Sequence, residues 1–422
     1  MTEKKLAAGT GSSVVVERCQ VCDAAPLEPI LFLGYLPPVN VMPKIGDAPH
    51  EQAAYPAQIL RCPRCTLVQL GLIVDPSVLF PPEYPYTSGT TKILRDNFAE
   101  MYRECRTIVP LGPDDLVVDI GSNDGTLLSN FRDGGHRVQG IEPANVGNLA
   151  TERGIPTIIS FFGASAVDRV LKEKGRAKIV TATNVFAHIE DIHDIVENLL
   201  RLLGDDGVFI SESHYLVSLV ETLQYDTIYH EHLRHYSLQS LKYLLEMHGL
   251  TVIHATPIPT HGGSIRVYAS RPGRYPVRPT VQAILAAEER QALTAERLAD
   301  FRRRVVLSKL ELHALLLDIK RAGGRVYGIG APSRASTLIN YVGIDDAIME
   351  YVLEVKGSHK VGKYVPGTLI PVVEESRLFE DQPEYALLLS WHIADELAPK
   401  LRQRGFKGQF IVPLPSPRIL TA

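Results

Sequence analysis

The sequence predicts an α/β fold in which a small zinc-binding module precedes two Rossmann-like, doubly wound sheet domains. Three observations carry the prediction. Four of the five cysteines fall in two CxxC pairs, apolar strands alternate with helices from about residue 116, and the alternation restarts at Gly323 behind two long amphipathic helices. A length of 422 residues agrees, because one hydrophobic core rarely serves so long a chain.

Composition narrows the function classes. The 44 basic and 48 acidic residues give a net charge of -4, with no long run of either sign, so nucleic acids and membrane surfaces are poor partners. No stretch approaches the roughly 18 uninterrupted apolar residues of a membrane span. The amino terminus lacks the apolar core of a secretory signal, and the expected location is the cytoplasm.

Residues 12–83 are the expected module. They are rich in Pro, Gly and short apolar runs without helical period, so something besides a core must stabilise them. Cys19, Cys22, Cys62 and Cys65 provide it, since four thiolates bind zinc tetrahedrally and binding energy becomes folding energy. The 39 residues between the pairs exceed the roughly 15 to 20 of common ribbons, so no finger class is assigned. Cys105, the fifth, lies in an apolar helical pattern and reads as a small core residue.

Residues 84–278 are the expected middle domain. After an amphipathic helix near Lys92 to Val109, LVVDIGSNDG is a strand entering a glycine-rich turn, and VQGIEPA, KIVTATNVFAH and GVFISES are the strands that follow, the last behind a helix containing NLLRLLGDDG. Gly121, Asn123 and Gly125 let the backbone approach a ligand, and Glu142 at the next strand end can accept from both ribose hydroxyls. This logic serves NAD and S-adenosylmethionine alike. Acidic Asp119 on the strand and a DxGxxxG turn without the spacing that seats a pyrophosphate favour S-adenosylmethionine. Asn184 and His188 end the third strand, where ligands sit in such sheets.

YDTIYHEHLRHY, Tyr225 to Tyr236, concentrates proton donors and acceptors. Metal binding fits poorly, because His230 and His232 are two apart and diverge on a helix. Acid–base work fits better: an imidazole with an ordinary pKa near 6.5 can remove a proton beside a ketone, and a tyrosine or histidine can stabilise the oxyanion. Tyr229, Glu231 and His232 supply a donor, an orienting carboxylate and a base.

Residues 279–322 read as a helical connection whose leucines form an inter-domain face. Residues 323–422 read as the second α/β domain, in which Gly328-Ile-Gly330-Ala-Pro-Ser333-Arg334 opens a helix whose amides favour a diphosphate. Trp391, the lone tryptophan, suits a core or a base-stacking role equally.

With these motifs the chain resembles the nucleotide-sugar 3-C-methyltransferases of deoxysugar biosynthesis, which methylate carbon 3 of a nucleotide-linked 4-keto sugar. The resemblance spans the paired CxxC module, Tyr84-Pro-Tyr86-Thr-Ser88, VVDIGSNDGTLL, Asn184 to His188, Tyr229 to His232, His261-Gly-Gly263-Ser264-Ile-Arg266, and GIGAPSRASTLIN with PGTLIP. It implies structural zinc, S-adenosylmethionine in the middle domain and the sugar nucleotide anchored by the carboxyl-terminal domain, in a monomer or small homo-oligomer. It also implies His232 as the carbon base, with His188, Tyr229, Glu231 and either Tyr84 or Tyr86 lining the pocket. His261, Gly263, Ser264, Arg266, Gly330, Ser333 and Arg334 fall to the substrate. The chain departs from the family in having Arg334-Ala335 where a lysine-glycine pair is expected, and in lacking an aspartate-asparagine pair near Glu354 to Lys356. An arginine can still bind phosphate bidentately. The rival readings are an O- or N-methyltransferase, an NAD-dependent epimerase or dehydrogenase, and a scaffold without catalysis.

Overall fold

The computed structural model describes residues 7–8, 13–50, 52–79, 89, 91–291 and 293–420. Tyr84 and Tyr86 lie outside the described residues.

The amino-terminal module is an antiparallel sheet of β1 (Glu28–Leu36), β2 (Tyr55–Arg61) and β3 (Val68–Leu70). Its fourth strand is borrowed from the middle of the chain: Arg234 and His235 pair antiparallel with Gln69 and Val68. The end of the histidine-rich stretch is thereby hydrogen-bonded to the module.

Helix α1 (Lys92–Ile108) leads into the middle sheet of β4 (Leu116–Ile120), β5 (Arg137–Glu142), β6 (Thr157–Ile159), β7 (Ala177–Thr183), β8 (Leu203–His214), β9 (Thr251–Ile258) and β10 (Ser264–Ser270). The spatial order is β9-β10-β8-β7-β4-β5-β6, parallel except for the pairings of β10. Helix α2 (Thr126–Asp133) follows the β4 turn and α3 (Ile192–Leu202) precedes β8. Every residue of β4 is buried, as a central parallel strand requires. Cys105 is fully buried on the apolar face of α1. Two boundaries differ from expectation. The helix carrying NLLRLL stops at Leu202, and the LGDDG after it is extended because Leu203 already pairs with Ala177. Strand β7 stops at Thr183, because Asn184 turns left-handed at φ +56°.

Two connecting helices follow, α4 (Pro279–Gln291) and α5 (Ala295–Arg321). Leu298, Phe301, Val305, Leu312, Leu316 and Ile319 form the buried stripe of α5, and they share one hydrophobic cluster with Ile30, Leu33 and Leu36 of β1 and with the carboxyl-terminal sheet. The leucine-rich face is therefore inter-domain.

The last sheet holds β11 (Val326–Ile329), β12 (Tyr351–Glu354), β13 (Val372–Glu374), β14 (Tyr385–Leu388), β15 (Gln409–Val412) and β16 (Arg418–Leu420) in the order β13-β12-β11-β14-β15-β16, with only β16 antiparallel. Helix α6 (Ser333–Val342) starts at the carboxyl end of β11, beside the point where strand order reverses. Strand β12 begins only at Tyr351, because the Asp345 carboxylate accepts from the amides of Ala347 and Ile348 and holds a turn before it.

Candidate active site and zinc centre

The four module cysteines come together. Their sulfurs lie within 4.8 Å of one another, with Cys19 Sγ to Cys65 Sγ and Cys22 Sγ to Cys62 Sγ both 3.4 Å. Four thiolates about 2.3 Å from a tetrahedral zinc stand about 3.8 Å apart, so the cage fits the ion closely. Backbone amides of Val21 and Cys22 point at Cys19 Sγ, and that of Cys65 at Cys62 Sγ, which stabilises thiolate charge. Zinc held this way has no open coordination position.

The β4 turn is a cradle of left-handed residues, with φ +69° at Gly121, +49° at Asn123 and +77° at Gly125. A Cβ at Gly121 would stand 2.6 Å from Val185, so only glycine passes there. Glu142 ends the adjacent β5, where Oε2 accepts from the Asn123 amide at 2.9 Å and Oε1 from the Ala144 amide at 2.8 Å. That places a fixed acidic acceptor beside the cradle, as a ribose diol requires. Asp119 is different. It is buried within the strand and accepts from the Thr181 hydroxyl at 2.6 Å, and burial, with the charges of Glu142 and Glu212, pushes its pKa up to about 8. A carboxyl in that state organises the strand end as a neutral group.

His232 sits at the centre of an imidazole cluster. Ring centroids lie 4.1 Å away at Tyr229, 5.1 Å at His188 and 6.3 Å at His235. Its Nδ1 lies 2.7 Å from the Thr227 carbonyl, which makes Nδ1 the protonated nitrogen and leaves the lone pair on Nε2. Burial, and next the neighbouring His188 and His235, hold its pKa well below 6.5. His188 is likewise lowered, to about 4, by burial. The Leu233 amide donates to the Ala187 carbonyl at 2.8 Å, which ties the two histidine segments together.

Glu231 departs from expectation. Thr227, not Glu231, hydrogen-bonds the His232 ring; the Glu231 carboxyl instead accepts from Asn40 Nδ2 of the module at 2.6 Å. The chain turns here, the His232 amide donating to the Tyr229 carbonyl at 2.9 Å, and the two adjacent side chains face different surroundings. Burial pushes Glu231 up to about 7, against the Asn40 hydrogen bond and the charge of Lys360.

The HGGSIR segment separates into roles. His261 Nε2 lies 3.4 Å from Asn184 Nδ2, so these two expected ligand contacts are neighbours. Gly263 accepts from the Tyr215 amide, and Ser264 donates to the Thr260 carbonyl. Arg266 is fully buried and donates to Glu212 at 2.6 Å, Glu104 at 2.7 Å and Asn97 at 2.9 Å. Two carboxylates already neutralise it, so it joins α1 to β8 and β10 and is not brought to the histidine cluster.

In the carboxyl-terminal domain, Gly330 (φ +79°) turns the chain into α6, and Ser333 Oγ lies 3.4 Å from Asn40 Oδ1. The Glu354 carboxylate accepts from the Ala331 amide at 3.0 Å, which places an acid where a diphosphate was expected. Arg334 is also turned away from a phosphate role. It makes a bidentate pair with Asp226, both contacts 2.8 Å, and donates to Gln224 and the His261 carbonyl. Trp391 donates from Nε1 to the same Asp226 at 2.7 Å and lies under the Arg334 guanidinium, which settles it as an interface residue.

Three family models tile the chain: a zinc binding domain over residues 19–80, a methyltransferase domain over 93–255 and a C-methyltransferase C-terminal domain over 259–415. The C-methyltransferase NovU of Streptomyces niveus is 33% identical over 413 residues, covering 96% of this chain and 97% of that protein. The chain belongs to the C-methyltransferase family. This C-methyltransferase is S-adenosylmethionine-dependent and carries a zinc-binding module. Among solved structures, the glycopeptide N-methyltransferase MtfA with S-adenosylmethionine is 15% identical, covering 46% of this chain and 99% of that one at a TM-score of 0.34. Magnesium protoporphyrin IX methyltransferase of Synechocystis PCC 6803 is 14% identical, covering 42% and 77% at 0.31. Among the described residues no helix is long and apolar enough to cross a membrane.

Thr227, His235, Asn40, Lys360 and Asp226 escaped the sequence reading. Asp226 and His235 stood inside the proton-rich stretch and were visible by type; Thr227 acts through its carbonyl, which no side-chain pattern reveals.

Proposed function

We propose that the enzyme methylates carbon 3 of a nucleotide-linked 4-keto sugar, a cytoplasmic small-molecule substrate, through an enolate generated by His232. The observation that carries this is the Thr227 carbonyl on Nδ1, which presents Nε2 as an unprotonated base inside a buried cluster. The proton at carbon 3 passes to Nε2, and the C–H electron pair forms the carbon–carbon double bond as negative charge moves to the carbonyl oxygen. Tyr229 or His188 donates to that oxygen. S-adenosylmethionine, when bound by the Gly121–Gly125 turn, Asn184 and Glu142, supplies an electrophilic sulfonium methyl. Low basicity in the empty site keeps His232 neutral across physiological pH. The imidazolium becomes affordable only beside the developing oxyanion, which ties proton removal to substrate occupancy.

The test is wash-in from deuterium oxide with a panel of dTDP- and GDP-linked 4-keto sugars. Deuterium is expected at carbon 3 of the accepted sugar, with the methyl on that carbon in product. A methyl on oxygen with no exchange would sink the enolate reading.

A further inference from the structure

Three parts of the chain meet at one side-chain amide. Asn40, on the loop after β1, donates from Nδ2 to Glu231 Oε1 at 2.6 Å, and its Oδ1 accepts from Ser333 Oγ at 3.4 Å. An amide nitrogen can only donate and an amide oxygen only accept, so the carboxylate partner fixes its orientation and the Ser333 hydroxyl rotates to suit. Among the described residues the hydrogen bond to Glu231 falls on Oε1, which leaves Oε2 as an acceptor. A small cavity adjoins this node, lined by Val39 and Met42 on either side of Asn40, by Pro332 and Ser336 around Ser333, and by Lys360. Lys360 donates to the Ala331 carbonyl at 2.5 Å, and its charge interacts with both Glu354 and Glu231.

We infer that Asn40 is a positioning residue that holds the Glu231 carboxyl for a hydroxyl of the sugar nucleotide, so that the zinc-binding module takes part in substrate recognition; the role rests on the sugar-nucleotide reading. A carboxylate accepting from a fixed amide cannot swing, which leaves its second oxygen as an acceptor of set direction. The arrangement also explains why the module is fastened to the strand Arg234–His235: a slip there would carry Asn40 away from Glu231. The groups that set the charge of Glu231 are Lys360, shared with Glu354 on the carboxyl-terminal domain, and the Asn40 amide. His188, on the segment after β7, hydrogen-bonds the Glu231 backbone.

The experiment uses the full-length, zinc-loaded enzyme with a nucleotide-linked 4-keto sugar that the wild type accepts. Asn40→Ala is expected to raise KM for the sugar nucleotide roughly tenfold or more, the usual scale for losing a hydrogen bond to a charged group. KM for S-adenosylmethionine and zinc content stay unchanged. The acid limb of kcat/KM, set by Glu231 near pH 7, moves to higher pH, because the donor that favours the carboxylate is gone. Asn40→Asp, which sets a second carboxyl against the first, moves it further. In a Glu231→Ala background Asn40→Ala adds no further loss. Unchanged KM and pH midpoint in Asn40→Ala, or an equal loss with Glu231 already removed, overturns the role of Asn40 alone. A wild type that accepts none of the panel overturns the sugar-nucleotide reading and the recognition role with it.

Discussion

Removing the Asp226 carboxylate tests whether Arg334 joins domains or binds substrate. Both side chains of the pair are nearly inaccessible, at 7% and 1%, and the contact is bidentate at 2.8 Å on each arm. Asp226→Ala leaves a buried guanidinium with neutral partners, Gln224, the His261 carbonyl, His392 Nδ1 and the Trp391 face, and it strands the Trp391 N–H. Uncompensated buried charge of this kind costs about 3 to 5 kcal/mol. At about 4 to 8 °C per kcal/mol for a domain of about 100 residues, the calorimetric transition of the carboxyl-terminal domain should fall by roughly 15 °C or more. Scanning calorimetry on zinc-loaded protein measures it, with each transition treated separately because a multidomain chain is not two-state. Replacing both partners by apolar residues, Asp226→Leu with Arg334→Met, should recover most of the loss, since neither charge is then stranded. A shift of less than about 2 °C in Asp226→Ala would refute the reasoning. So would an Arg334→Met variant of normal stability that has lost affinity for the sugar nucleotide, because it would return Arg334 to the phosphate role expected from sequence.

His232→Asn should cut turnover by about 100-fold or more while the affinity for S-adenosylmethionine, read by calorimetric titration, is kept; near-normal turnover moves the base to His188. Stability should be acid-sensitive. Burial lowers His188, His230, His235 and His261 each to about 4 from an unfolded value near 6.5, so their contribution is present above pH 6.5 and lost as pH falls toward 4. At pH 5 each forfeits about 2 kcal/mol at most, and together they rival a whole domain's stability. Melting midpoints should therefore drop steeply between pH 6.5 and 5, and a flat profile would contradict four buried neutral imidazoles. Stripping the zinc with a chelator, or Cys62→Ser, should abolish turnover by releasing β3 from the strand Arg234–His235, as zinc content and initial rates measured together would reveal; full activity without metal would sever the module from the site.

The sequence alone determined whatever is set by neighbours along the chain. Two CxxC knuckles specify a tetrathiolate cage, the run LVVDIGSNDG specifies strand, glycine turn and helix, and the proton-rich content of Tyr225 to Tyr236 marks the stretch that carries the imidazole cluster, because turn chemistry and hydrophobic period are local. Tertiary structure decided which charges meet. Asn40 reaches Glu231 across 191 positions and Arg334 reaches Asp226 across 108, and no local pattern encodes either pairing. A buried charge must find a partner wherever packing brings one, so the same arginine that suits a phosphate by type becomes an inter-domain tie once an aspartate is enclosed beside it. Likewise the carbonyl that selects the tautomer of His232 belongs to the backbone of Thr227, and only the closed turn brings it within 2.7 Å.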